Sequence, residues 1–252
     1  MRPNPVVSGA IMLCLAGPAV AQDEWAVFAS KEDGFSVNFP GPPTVENTTW
    51  MTQYGYTAPA RIYRVSRGQE RYSVTVVDYR VLEQQGIERA KQCPPGAEPC
   101  RGNQVGSLGA GYWRMDVRGA LIYAAFKFIQ RDARVTDFNW QIQELVEGLV
   151  LHLTNNADQS RTFAYVTMHD NRLYVFEGTV PKGLPEPALF QGSVGFVDKD
   201  GNGIRYQTIY SNAYHGLGAY PVPGRAGRGR GAGGAAGAGA GQGTGGRGTP
   251  QN

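Results

Sequence analysis

Residues 161–180 read RTFAYVTMH-DN-RLYVFEGTV, and this stretch decides the fold of the 252-residue chain. Two nine-residue runs rich in β-branched and aromatic residues flank Asp170-Asn171, which predicts a tight hairpin. Both sets of alternating residues are apolar: Ala164, Val166, Met168, Leu173 and Val175 form one set, and Phe163, Tyr165, Tyr174 and Phe176 form the other. A strand that is apolar on both faces is covered on both sides. The hairpin therefore predicts a central sheet between two other layers.

Further strands are predicted on both sides of this hairpin. Phe35, Val37 and Phe39 alternate after a Glu-Asp-Gly turn, and residues 60–66 and 71–79 read as a second hairpin. Residues 48–56 are another predicted strand. Alternating apolar residues also mark residues 138–142 and 149–153, and a hairpin is predicted around DKDGNG, with residues 204–211 as its second strand.

Two helices are predicted, with a third short one near Ala188. Residues 81–92 are rich in helix formers, and residues 116–131 place apolar residues at i, i+3, i+4 and i+7 with Asp116 as the N-cap. Ile122 and Phe126 widen this apolar face, so we expect the longer helix to be well covered. The pattern predicts an α+β fold in a single domain, a three-layer α/β/α sandwich around a mainly antiparallel sheet.

The N-terminus has the pattern of a secretory signal peptide. Arg2 precedes an apolar run over residues 6–16, and Ala19-Val20-Ala21 is a small-residue cleavage sequence. The run is too short to span a bilayer, and Leu13 before Cys14 argues against a lipoprotein. We predict a signal peptide at 1–21, no transmembrane segment in the mature chain, and a periplasmic or secreted location.

The net positive charge of the chain comes from its C-terminal segment. Residues 224–252 hold 13 glycines and four arginines and no acidic residue, which predicts a disordered Gly/Ala/Arg-rich tail. Without that segment and Arg2, 19 basic residues face 21 acidic ones. A nucleic-acid-binding face is therefore not expected on the folded domain, which we place at residues 22–223.

Two cysteines, Cys93 and Cys100, remain after the signal peptide. In an oxidising compartment they predict a disulfide, which on the chain-entropy model contributes roughly 2–3 kcal/mol. A metal pair would need C-x₂₋₄-C spacing and further ligands. A catalytic thiol would need a histidine partner that the sequence does not place.

One turn partly matches a calcium loop. Asp198, Asp200 and Asn202 in DKDGNG fit the first half of that motif, but position twelve is Ile209 instead of a carboxylate. A hairpin turn is the simpler interpretation, and no metal or cofactor is predicted.

Catalytic motifs are not found in the sequence. There is no G-x-S-x-G elbow, H-E-x-x-H or phosphate-binding loop. His152 and His169 fall in predicted strands, where a structural role is expected, and His215 lies in a loop, where it is the best candidate for a ligand contact. Four tyrosines near the end of the domain could line a groove or pack the last strand: Tyr206, Tyr210, Tyr214 and Tyr220.

Four motifs carry a resemblance to a known family. Residues 32–43 (EDGFSVNFPGPP), 72–79 (YSVTVVDY), 172–181 (RLYVFEGTVP) and 189–196 (LFQGSVGF) resemble exported bacterial proteins of the Mog1/PsbP-like class. The resemblance implies an α/β/α sandwich and a binding or assembly role, and it supplies no catalytic residue. The cysteine loop and the Gly/Arg-rich tail depart from the pattern of that class.

These observations predict an exported, non-enzymatic cell-envelope accessory or binding protein. Its partner would be an envelope protein or a small ligand, and not a nucleic acid. The alternative is an envelope hydrolase whose site combines the Cys93–Cys100 loop with His215.

The export prediction has a direct test. N-terminal sequencing of the protein from the producing cell should start at Gln22, because the cleavage pattern ends at Ala21. An intact Met1 on the soluble protein would contradict it.

Overall fold

The computed structural model describes residues 25–92 and 112–212, which belong to one compact unit. Seven antiparallel strands form the larger sheet in the order β3-β4-β5-β9-β8-β7-β6. Their bounds are β3 Thr44–Met51, β4 Thr57–Arg67, β5 Glu70–Asp78, β6 Ala133–Gln143, β7 Val146–Asn155, β8 Arg161–His169 and β9 Arg172–Val180. The sheet therefore has β3 and β6 as its two edges.

Three more strands form a smaller antiparallel sheet in the order β1-β2-β10. These are β1 Ala26–Ser30, β2 Phe35–Phe39 and the two-residue β10 Gly195–Phe196. The described helices are α1 Leu82–Lys91, α2 Tyr112–Ile129 and the one-turn α3 Ala188–Gln191, with a 3₁₀ turn at Tyr79–Val81.

The central hairpin is confirmed with the bounds that the sequence predicts. Strands β8 and β9 pair antiparallel, with Val166 opposite Val175. The two turn residues, Asp170 and Asn171, have φ of 49° and 53°. Positive φ at both central residues is the type I′ geometry that matches the twist of a hairpin.

One face of the larger sheet is covered by helices. α2 packs on β7, β8 and β9, and α1 packs on α2. The core between these layers is apolar and includes Val117, Ala124, Phe128, Leu151, Ala164, Val166, Leu173 and Val175.

The other face of the larger sheet is covered by the smaller sheet. Phe35 lies on the rings of Tyr63 and Phe176, at centroid distances of 5.0 and 6.0 Å, both edge-on. Phe39 contacts Phe190 of α3 at 5.6 Å. This second core is richer in aromatic residues than the first, and edge-to-face pairs of this kind add to the area that they bury.

The predicted α/β/α sandwich is therefore wrong, although the central sheet is indeed covered on both sides. The two longer helices flank one face, and a second antiparallel sheet with the one-turn α3 supplies the other layer. An apolar strand face requires a cover, but a helix and a strand pair satisfy that requirement equally.

The longer helix also differs from its prediction. Asp116 is not an N-cap but lies inside α2, where its buried carboxylate accepts hydrogen bonds from the Thr52 hydroxyl (2.6 Å) and the Tyr54 N–H (3.0 Å). The expected cover over Ile122 and Phe126 is not found, because these side chains are 60% and 49% exposed. The apolar outer side of α2 is thus open.

Two predicted strands differ from the structure: one has other bounds, and the other is not formed. The strand expected at residues 48–56 is β3, which ends at Met51. Residues 204–211 form no strand, and only Tyr210 makes a single bridge, to Val146. Among the described helices, none has the length and apolarity needed to cross a membrane.

The role of the smaller sheet can be tested with Phe35→Ala. Phe35 is fully buried between the two sheets, so the change should lower the free energy of unfolding by about 3–5 kcal/mol. Val27→Ala on β1 is the control, because Val27 is 75% exposed and should change stability by less than about 0.5 kcal/mol. Urea unfolding measures both, and equal effects would contradict the assignment of this sheet as the second cover.

Candidate functional site

A cleft of about 500 Å³ lies beside the turn of the central hairpin. We call it the His169 cleft. Its charged lining consists of Lys31, Arg80, Arg172, Lys199, Asp170 and Asp198. Its ring-bearing lining consists of His169, Tyr174, Tyr206 and Tyr210. Because Arg80 is paired with Asp78, three cations remain against two carboxylates, which leaves an excess of one positive charge.

Two glycines make room for the cationic side chains. Gly34 has φ of 72°, and a Cβ built on it would lie 3.2 Å from Nη1 of Arg172. Gly201 has φ of 91°, and a Cβ there would lie 2.7 Å from Cε of Lys31. Because both positions have a left-handed backbone and no side chain, Arg172 and Lys31 can pass close to the chain and reach the cleft.

The turn that carries Lys31 is anchored by Asp33. The buried Asp33 carboxylate accepts hydrogen bonds from Arg61 (2.8 Å) and from the Tyr63 hydroxyl (2.6 Å), both on β4. Its backbone carbonyl accepts one from the hydroxyl of Tyr174 on β9 (2.7 Å). A buried carboxylate needs such partners, and these three fix the β1–β2 turn against the larger sheet.

His169 lines the cleft and packs against other rings. Its ring stacks on Phe196 at 4.5 Å and lies 4.9 Å from the ring of Tyr210. Its Nε2 makes a hydrogen bond with the Tyr206 hydroxyl. Burial lowers the pKa of His169 to about 4, because the charged form is poorly solvated there, and it raises the pKa of Tyr206 to about 12. Both groups are therefore neutral near pH 7.

The last described residues are attached to the hairpin turn. The hydroxyl oxygen of Tyr210 accepts a hydrogen bond from the Asp170 N–H at 3.0 Å. The side chain of Asn212 accepts from the Asn171 N–H at 2.9 Å and donates to Oδ1 of Asn171 at 2.9 Å. These bonds place Tyr206 and Tyr210 against His169.

The DKDGNG turn forms one wall of the cleft. Oδ1 of Asp198 accepts hydrogen bonds from the N–H groups of Asp200 and Asn202, each at 2.9 Å. These bonds lower the pKa of Asp198. The carboxylate thus shapes a turn, and the described residues contain no group of three His, Cys, Asp or Glu side chains that could hold a metal ion.

Of the other residues singled out in the sequence, only His152 belongs to the described part of the chain, and it does not line the cleft. His152 lies on β7, with its ring edge-on to Phe163 at 4.7 Å. Cys93, Cys100, His215, Tyr214 and Tyr220 lie outside the described residues. The disulfide and the contact by His215 stay predictions.

A larger cleft, of about 630 Å³, lies on the helix side of the larger sheet. Its described lining contains no histidine. Its three cations face three carboxylates, and Arg131 forms two hydrogen bonds with Glu177 (2.6 and 3.0 Å). It therefore offers less uncompensated charge than the His169 cleft.

The arrangement in the His169 cleft is suited to binding a small anion. Lys31, Arg172 and Lys199 have no carboxylate within salt-bridge distance among the described residues, whereas Arg80 is paired with Asp78 at 2.7 Å. Sequence reasoning missed the three cations, since they come from three separate turns. The signal that could have found them is the placement of His169 and Arg172 directly beside a tight turn.

Comparisons with known proteins find a similarity to a solved structure. No family model matches the chain, and no curated protein matches it. The chain is similar to the solution structure of cyanobacterial PsbP (CyanoP) from Synechocystis sp. PCC 6803, at 13% identity and a TM-score of 0.34. The match covers 66% of this chain and 86% of that one. At that TM-score it carries no conclusion about activity, ligand or partners.

Burial of His169 predicts a pH-dependent stability. Below pH 6.5 the unfolded chain takes up a proton on this residue, whereas the folded chain does so only near pH 4. The free energy of unfolding should therefore fall as the pH drops from 6.5 to 4, by about 2–3 kcal/mol from this residue. His169→Gln should remove that part of the slope in urea unfolding curves, and His152→Gln should keep it. An unchanged slope in His169→Gln would contradict the prediction.

Proposed function

We propose that this chain is an exported, non-enzymatic binding protein of the cell envelope that takes a small anionic ligand in the His169 cleft. The observation that carries the proposal is the convergence on one cleft of Lys31, Arg172 and Lys199, none of which has a carboxylate within salt-bridge distance among the described residues. The signal-type N-terminus supports the exported location.

The dimensions and the walls of the cleft support a small ligand. A volume of about 500 Å³ is within the range of small-molecule sites. The rings of His169, Tyr174 and Tyr210 form its apolar side, which strengthens the attraction between the cations and a bound anion by excluding water. The two glycines let the cations reach the cleft without displacing the backbone, so little reorganisation is needed on binding.

Binding fits this geometry better than hydrolysis does. A general base works best when its pKa is near the working pH, and burial lowers the pKa of His169 to about 4. Its Nε2 is already paired with Tyr206. The described lining of the cleft holds no serine, threonine or cysteine that could act as a nucleophile. The hydrolase alternative therefore gains no support from the described residues.

Anion titration tests this proposal. With inorganic phosphate as the probe, the chain without residues 1–21 should show saturable binding by calorimetry, and binding should weaken as NaCl rises. Arg172→Gln and Lys31→Gln should each raise the dissociation constant at least about fivefold, because each removes a charge at the site.

Lys182→Gln is the matched control. Lys182 is an exposed lysine after β9 that does not line the cleft, so its replacement should leave the affinity unchanged. An equal loss in Lys182→Gln would show non-specific attraction, and the absence of saturable binding in the unaltered chain would refute the proposal.

A further inference from the structure

An exposed apolar surface lies on the side of the molecule that carries the long helix. It consists of one stripe on α2 and one side of the edge strand β6, and we call it the α2–β6 surface. Its members are Ile122, Phe126, Ile129, Val135, Phe138, Trp140 and Ile142, which are between 36% and 60% exposed. Trp140 and Ile122 line a shared small cavity together with Leu121 and Met168, so the helix and the strand form one surface.

This surface is as large as one side of a stable interface. With full areas of about 150–250 Å² for large apolar residues, the seven exposed fractions amount to roughly 700 Å². A standard interface buries about 800 Å² on each partner, and a monomer seldom exposes a contiguous apolar patch of more than about 300–600 Å². The area therefore matches what a dimer needs.

Among the described residues, the backbone of β6 pairs along one side only. β6 hydrogen-bonds to β7 along one side and forms the edge of the larger sheet. Exposed edges are commonly protected by lysine, proline or a bulge. The irregularity in β6 lies between Val135 and Asp137, and the residues from Asp137 to Gln143 include no lysine and no proline.

The side-chain pattern of β6 is complementary to itself. Phe138, Trp140 and Ile142 share one face, and the other face is polar, with Asp137, Asn139, Gln141 and Gln143. An antiparallel pairing about a two-fold axis at Trp140 places Phe138 opposite Ile142 of the second copy. It also places Asp137 opposite Gln143 of the second copy, so the one acidic residue of this segment does not meet a like charge.

We propose that the occupant of the α2–β6 surface is a second copy of this chain. Two β6 strands pair antiparallel at the sheet edge, which joins the two larger sheets. The apolar side chains of the two β6 strands then lie side by side on one face of the joined sheet, with an α2 stripe on either side of them. Such a pairing is closed, because each copy uses its one available β6 edge, so assembly stops at the dimer. This inference is independent of the ligand in the His169 cleft.

The mass in solution tests the proposal on the chain without residues 1–21. Sedimentation over about 1–100 μM should give twice the mass of one chain at the upper end. Trp140→Glu places a charge on each side of the two-fold axis and should raise the dissociation constant at least about tenfold. Val45→Glu is the matched control, because Val45 lies on the opposite edge strand β3 and is 53% exposed, as is Trp140. It should leave the mass unchanged.

A second variant and a second measurement keep the test independent of folding defects. Ile122→Glu changes the outer side of α2, where Ile122 is 60% exposed, and should also weaken the dimer. Amide hydrogen exchange in β6 should slow as the protein concentration rises. A monomer at every concentration, masses beyond the dimer, or dissociation by Val45→Glu and not by Trp140→Glu would each overturn the proposal. Protection of β6 that is independent of concentration would overturn it too, by indicating cover from the same chain.

Discussion

The apolar side chains on both faces of the β8–β9 hairpin are the constraint on which this structure depends. One face requires α2, and the other requires Phe35, Val37 and Phe39 of the smaller sheet. Each layer is present because the hairpin would otherwise expose apolar surface to water. The layers in turn place the polar groups, since the β1–β2 turn can bring Lys31 to the cleft only when β2 lies on the hairpin.

The sequence predicts the central β8–β9 hairpin correctly, but it does not predict that a second sheet covers one face of the larger sheet. Periodicity gives β8, β9 and the two-residue turn directly, because alternation depends on neighbouring residues alone. The second cover is not predictable in this way. Strand β10 is two residues long and pairs with β2, which is about 160 residues earlier in the chain. A pattern shows that a face is buried, but it does not show which distant segment buries it.

In the candidate site, too, the sequence predicts local features and not the contacts between distant segments. The strand position of His169 predicts a structural role, and its stacking on Phe196 agrees with that role. Its position beside three cations depends on where the turns at Lys31, Arg172 and Lys199 meet, which is a tertiary property. The DKDGNG turn matches half of a calcium motif, and a hairpin turn is its simpler interpretation; in the structure the Asp198 carboxylate accepts hydrogen bonds from backbone N–H groups of its own turn. Local motifs therefore identified residues near the site without identifying its chemistry.

The position of β9 in the larger sheet has a consequence for the order of folding. β9 lies between β5 and β8, so it joins the strands of the first half of the chain to those of the second half. A chain that emerges with its N-terminus first must therefore hold β3, β4 and β5 without their central neighbour until residue 180 has appeared. Contacts of such long sequence separation slow folding and leave strand edges open for longer. A chain of this topology would gain from a holding chaperone during that interval.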